Sequence, residues 1–347
     1  MNDVKWEKLR RAAECGPQDR VSTAMIVDSP WIPGYAGIST LDFYTDQSVF
    51  LNAYQRVKDD FPDLILLPDY WVEFGMAAES SGLGCKLNFY ADQPVMTSHL
   101  GSNVQDLAKL PVPDPYRDGI MPLVLNYYSH VKHAVHERGE KIRIVASRGP
   151  LNIASQIMGI SEFLMATVDE PECVCSLLAN TTALVNRWLK AQADVLDYVE
   201  GIMVLDDIVG FFSEEMYLQF AHPYLKEIFS SFDVPVKIFH NDTFNTASYS
   251  HIPDLGVNIF NFSHMTPIDE VRTLIGSGVC LMGNVPPLSE LVQGTPSTVE
   301  AATLECLQRA ERKEGLLLST GGGAPPGMPG ENLRAMLRAV SKWNSEV

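Results

Sequence analysis

Three places in the chain gather side chains able to do chemistry: Asp69 before Tyr70-Trp71, the pair Asp206-Asp207, and His240-Asn241-Asp242. Carboxylates beside an imidazole can share out proton transfer, because neighbouring charges pull their pKa values apart, or they can hold a divalent cation. His240 and Asp242, two apart just past an apolar run, reach one ion once the backbone leaves the pleat, so a metal is one reading. A helix-capping aspartate beside a hydrogen-bonded histidine is the other. Cys173-x-Cys175 lies in a helical pattern, where side chains two apart diverge by about 200°, which argues against a shared metal. His130, His133 and His136 drift around a second helical stretch and read as surface or packing residues. Ser319-Thr-Gly-Gly-Gly-Ala-Pro-Pro-Gly is glycine-rich, yet it lacks both the P-loop lysine and the dinucleotide spacing, so it reads as a tight ligand-facing turn.

These residues are positioned by a repeating pattern. Eight short, continuous apolar runs, at 24–27, 64–67, 142–146, 202–205, 236–239, 257–260, 279–282 and 316–318, alternate with helical segments. Strands without polar alternation are buried on both faces, and eight of them separated by helices predict an α/β (β/α)8 TIM barrel. We expect one domain over 1–347, with the barrel proper at about 20–345, a helix ahead of it, and a long decorated connection between the second and third strands. Ser213 before two glutamates, and Thr295 before Pro296, mark helix starts.

Composition removes whole classes of partner. With 26 Lys+Arg against 43 Asp+Glu the formal charge is −17, and the basic residues are scattered, which argues against nucleic acid and against an anionic membrane surface. No apolar run approaches the length of a membrane span and no leader pattern is present, so a cytoplasmic location is expected. In a barrel of this kind the loops after the strands form the site. One to four residues past the runs stand Asp28, Asp69-Tyr70-Trp71, Arg148, Asp206-Asp207, His240-Asn241-Asp242, Asn261 and His264, Asn284, and Gly321-Gly322-Gly323. Any one carboxylate there is as readily an N-cap; their expected convergence on one mouth points to a functional cavity.

Leu205-Asp206-Asp207-Ile-Val-Gly210, Phe239-His240-Asn-Asp242, Met282-Gly283-Asn284-Val285, Gly321-Gly-Gly with Pro329-x-Glu331-Asn332, and Arg148-Gly149-Pro150 together resemble the uroporphyrinogen decarboxylase superfamily. The resemblance runs from about Asp19 to the C-terminus and implies the same barrel. It also implies one of two chemistries, decarboxylation of uroporphyrinogen or cobalamin-dependent methyl transfer. The decarboxylases carry an arginine-rich segment that holds the substrate's carboxylates; this chain has Pro-Trp-Ile-Pro-Gly-Tyr at 30–35. By the same resemblance Asp69 matches the aspartate that faces the pyrrole nitrogens, while the family tyrosine falls at Gln156, the serine near Asp207 and the last-loop histidine at Gly322.

The thiol-methylating branch binds zinc through His-x-Cys and a later Cys, to which His240, Asp242 and Gly322 correspond here. A thiolate-rich site is thereby excluded, and a harder site from His240 and Asp242, with Asp206, Asp207 or Glu73, is what this chain offers. The resemblance thus implies a methyltransferase working with a small-molecule methyl donor or acceptor and a corrinoid protein that carries the cobalamin, with zinc as the candidate ion. Asp69, Asp207, His240 and Asp242 would bind or polarise the donor. Arg148 and Asn152 would orient substrate, with Tyr70, Trp71, Gln156, Asp206, Asn284 and Gly322 lining the pocket. The alternatives are a uroporphyrinogen decarboxylase and a non-catalytic barrel that binds a small molecule.

Overall fold

The computed structural model of the protein describes residues 1–346. Eight parallel strands form a ring: β1 (Ser22–Ile26), β2 (Ile65–Leu67), β3 (Ile144–Arg148), β4 (Gly201–Leu205), β5 (Val236–Asn241), β6 (Ile259–Phe262), β7 (Cys280–Val285) and β8 (Leu316–Thr320). Every expected run overlaps one of them. Strands adjacent in sequence pair around the ring, and β8 closes onto β1; only β2 and β3 share no ladder. This is a (β/α)8 barrel with one open seam. The chain from Asp69 to Val72 closes the seam with side-chain hydroxyls: the Trp71 N–H donates to Tyr54 Oη at 2.9 Å and the Val72 N–H to Tyr128 Oη at 3.1 Å. The long connection between β2 and β3 carries a two-stranded ribbon, Leu87–Asn88 with Met96–Thr97, and a long helix.

The helices that matter for the site are α1 (Asp3–Ala13), α2 (Gln47–Asp60), α3 (Met121–Glu137), α4 (Pro150–Met158), α5 (Pro296–Ala310) and α6 (Gly330–Glu346). Ser213 caps the helix Glu214–Phe220, and Thr295 and Thr298 form a reciprocal cap on α5. Helix α1 plugs the end where the strands begin: Trp6, Leu9, Ala12 and Ala13 join the barrel-interior cluster. Arg143 pins that plug through ion pairs with Asp3 and Glu200. Among the described residues no single helix is long and apolar enough to cross a membrane.

Alternation within each strand decides which residues reach the site. Ala24 and Ile26, Ile144 and Ala146, Met203 and Leu205, and Val236 and Ile238 face the interior, while Met25, Val145, Val204 and Phe239 pack outward against helices. Continuing the inward rows by twos brings Asp28, Arg148, Asp207, His240 and Asn261 to the open mouth. Several strands end later than their apolar runs: β3 reaches Arg148, β5 Asn241, β6 Phe262 and β7 Val285. Near the mouth the ladder continues while the interior turns polar, so hydropathy stops marking the strand before hydrogen bonding does.

Candidate active site at the barrel mouth

His240, Asp207 and Asp242 each offer one donor atom, and these atoms all lie within 4.8 Å of one another. His240 Nε2 stands 3.5 Å from Asp207 Oδ1 and 4.0 Å from Asp242 Oδ2; the histidine is buried, whereas both carboxylates reach solvent. The imidazole is held from behind. Asn261 spends its amide hydrogens on Met282 O (2.7 Å) and Thr320 O (3.2 Å), which leaves its Oδ1 facing His240 Nδ1 at 2.7 Å. A carbonyl oxygen only accepts, so Nδ1 carries the hydrogen and the Nε2 lone pair turns toward the carboxylates. Burial lowers the pKa of His240, but Asp207, Asp242 and the Asn261 contact outweigh it and the net displacement is upward. Burial raises Asp242, with the nearby Asp207 charge adding to it and His240 opposing.

The residues around this cluster act mainly as scaffolding. Both oxygens of Asp206 accept the first N–H groups of α4, from Leu151 (2.9 Å) and Asn152 (3.0 Å), and the side chain is wholly buried. Asp206 is therefore a helix anchor rather than the substrate contact expected from sequence, and burial pushes its pKa up despite those two bonds. A Cβ at Gly149 would stand 2.2 Å from Asp206 Oδ2, which explains the glycine in Arg148-Gly149-Pro150. Asn152 is likewise redirected: its Oδ1 accepts the N–H groups of Asp207 and Ile208, both at 3.2 Å, and its amide donates to Leu205 O at 3.1 Å. It positions Asp207, and of its polar groups one amide hydrogen is left without a protein partner among the described residues. Gly322 has φ +134° and a Cβ there would lie 2.6 Å from Asp242 Oδ2, so this position abuts the cluster and supplies space instead of a donor.

The expected convergence fails for Asp69 and Tyr70. Asp69 is buried at the end plugged by α1, where Oδ2 lies 2.8 Å from Lys58 Nζ and 2.6 Å from the Met1 nitrogen. Positive φ values at Asp69 (75°) and Tyr70 (50°) turn the chain back immediately after β2, which takes both residues off the inward row. Tyr70 donates to Glu140 Oε2 at 2.8 Å and its ring lies under Lys58 Nζ. Trp71 belongs to the barrel-interior core. Asn284 donates to Ser263 O and Thr266 O and borders a cavity of about 210 Å³ between β7 and α5, with Glu290, Cys306 and Arg309. Gln156, on α4, gives its backbone carbonyl to His99, and its Oε1 is buried with no partner among the described residues. The guanidinium of Arg148 donates to backbone carbonyls of the segment after β2.

Four further residues stand near the mouth: Asp28, Asn261 and His264, which position after the strands placed there without a role, and Glu73, considered only as an alternative metal ligand. Counting by twos from Ile259 finds Asn261, and from Ile26 finds Asp28. His264 is adjacent to Gly321, whose Cβ would meet it at 2.3 Å, and its charge acts on Asp242. Glu73 is buried and accepts the N–H groups of Ser29 (3.1 Å) and Met76 (3.0 Å). Nothing in the local sequence distinguishes it from a surface glutamate.

The model of the uroporphyrinogen decarboxylase (URO-D) family matches residues 63–343. The chain belongs to this family. Its relatives divide between two activities. It is 29% identical over 185 residues to uroporphyrinogen decarboxylase of Chlorobium luteolum, a match spanning 51% of each protein. It is 26% identical over 275 residues to methylated-thiol--coenzyme M methyltransferase of Methanosarcina mazei, covering 78% of this chain and 71% of that one. Among solved structures, a methyltransferase from Methanosarcina mazei superposes with a TM-score of 0.81 at 19% identity, covering 97% of this chain and 98% of the other, which shows the shared fold.

Within this URO-D family barrel the donor set fits a divalent ion. Three donors placed tetrahedrally at about 2.1 Å from zinc are spaced about 3.4 Å apart. The separations of 3.5 and 4.0 Å from His240 Nε2 come close to that, and all three donor atoms lie within 4.8 Å of one another. One imidazole nitrogen and two carboxylate oxygens form a hard set, unlike one rich in thiolates.

Proposed function

We propose that this URO-D family member is a methyltransferase that moves a methyl group between a small molecule and a corrinoid carried by a partner protein, in the cytoplasm. The observation that carries this reading is the cluster of His240 Nε2 with Asp207 and Asp242 at the mouth, held by Asn261. His240, Asp207 and Asp242 would hold the ion, zinc being the candidate. Bound there, it would act as a Lewis acid that makes the donor or acceptor heteroatom more reactive. Asn261 keeps the Nε2 lone pair available, Asn152 holds the Asp207 backbone in place, and Gly322 leaves room beside Asp242.

Support for a protein partner comes from the rim. Phe211, Phe244, Met265 and Leu288, in the loops after β4, β5, β6 and β7, are 56%, 68%, 65% and 60% exposed on a strongly acidic protein. Large apolar side chains gathered around a functional opening mark a contact surface. Against decarboxylation stands the segment after β1, where the short helix Ile32–Ala36 offers no arginine to a polycarboxylate. Incubation of methylcob(III)alamin with a thiol or folate acceptor, and of cob(I)alamin with a methoxyarene donor, followed at the cobalamin absorbance bands, tests the reading. Exchange with one of them is expected. No exchange with any of them, or carbon dioxide release from uroporphyrinogen, overturns it.

A further inference from the structure

Arg148 ends β3 on the inward row begun by Ile144 and Ala146 and is half-buried. Its Nε–H donates to Met76 O at 2.9 Å and an Nη2–H to Gly75 O at 3.5 Å. Two neutral carbonyls fix the direction of the guanidinium without cancelling its charge. Of its five N–H groups, three remain uncommitted. Lys58 is neutralised by Asp69 and Glu140 and Arg143 by Asp3 and Glu200, whereas half-buried Arg272 spends its guanidinium on three backbone carbonyls, those of Gly276, Val279 and Gly315. Arg148 makes no ion pair within 4.0 Å among the described residues. The acids around it are otherwise engaged. Asp206 caps α4, and Glu79 accepts the Ser147 hydroxyl (2.8 Å) and the backbone N–H of Arg148 (3.0 Å). Asp28, also near Arg148, forms no ion pair with it within 4.0 Å.

Register places this cation relative to the cluster. Arg148 is level with Leu205 on β4, and Leu205 with His240 on β5. With strands about 4.8 Å apart, the two backbones stand roughly 10 Å from each other across the mouth, both side chains on inward rows. We propose that Arg148 is a carboxylate-binding subsite, so that the small molecule is a monoanion anchored there while its reacting heteroatom lies at His240, Asp207 and Asp242. This rests on the methyl-transfer reading of the cluster. The planar fork of a guanidinium matches the two oxygens of a carboxylate, and the nearby Asp207 and Asp242 disfavour a dianion such as phosphate.

The test uses benzoate and its neutral isostere benzamide, titrated calorimetrically into the wild type, Arg148→Met and Arg148→Lys. The wild type is expected to prefer benzoate. Arg148→Met is expected to lose at least about tenfold in benzoate affinity, as for a charge-assisted hydrogen bond, with benzamide binding unaltered. Arg148→Lys is expected to fall between. Wild-type protein that shows no preference for benzoate over benzamide overturns the proposal even if both variants misfold; so does equal benzoate affinity in wild type and a folded Arg148→Met. Because no corrinoid is needed, a benzoate preference without methyl exchange would keep the subsite and discard the methyltransferase.

Discussion

The two ends of the barrel each hold a cluster of ionisable residues, and the clusters are built on opposite principles. At the plugged end Asp69 and Glu140 enclose Lys58, and Asp3 and Glu200 enclose Arg143, so buried charge is matched by opposite charge. At the mouth Asp207 and Asp242 flank one imidazole, both carboxylates reach water, and the nearest guanidinium is turned onto backbone carbonyls. Removing one partner of a buried pair strands a charge, which is a cost in folding. An incompletely compensated cluster has spare valence for a ligand. Residue type does not separate structure from function here; completeness of pairing does.

The largest expected effects form a matched pair. Lys58→Met strips the cation from between Asp69 and Glu140 and is expected to cost about 3 kcal/mol in urea unfolding while leaving zinc affinity unchanged. Burial raises the Asp69 pKa, but Lys58 and the Met1 ammonium outweigh it and the net displacement is downward. Its stabilising contribution is therefore complete above the ordinary carboxylate range and fades as the pH falls through the depressed value, so the variant's deficit shrinks in acid. His240→Ala should do the reverse, weakening zinc binding by at least about 100-fold in calorimetry with a smaller loss of stability than Lys58→Met. If either variant moves both readouts equally, the contrast between the two ends is wrong.

Smaller effects sharpen it. Asn261→Ala frees the imidazole to rotate and to change tautomer, and metal affinity is expected to fall by about 10- to 100-fold, as when an outer-shell partner is lost. Asp207→Asn removes one of the two carboxylates that raise His240. The imidazole titration, read by NMR in metal-free protein, is then expected to move down by about one pH unit. An unchanged midpoint would show that Asp207 and His240 are not electrostatically coupled.

Much of this was legible in the sequence. The eight apolar runs mark the eight strands, and their ends bring His240, Asp207 and Asp242 together. What misled was treating position after a strand as equivalent to facing the mouth. Asp69 follows β2 as closely as Asp207 follows β4, yet two left-handed residues send the chain toward α1, and nothing in Pro-Asp-Tyr-Trp announces that turn. Asp206 and Asp207 are neighbours with opposite roles because alternation puts one against α4 and the other on the interior row. The hydropathy pattern carried that information, and it became readable once Met203 and Leu205 were seen on the same face. Glu73 was considered as a ligand, but its structural role was not legible for a different reason: its partners, Ser29 and Met76, come from separate loops.

The seam between β2 and β3 divides the opening mechanically. Seven consecutive strand pairings form an unbroken hoop that carries Arg148, Asp207, His240 and Asn261, so their spacing is set by backbone register. The segment from Asp69 to Met76 bridges the gap through side-chain contacts alone, notably the hydroxyls of Tyr54 and Tyr128. Lengthening or shortening that segment changes the bore without slipping any ladder, which makes it the natural place to retailor the barrel for a ligand of another size while the chemistry stays where it is.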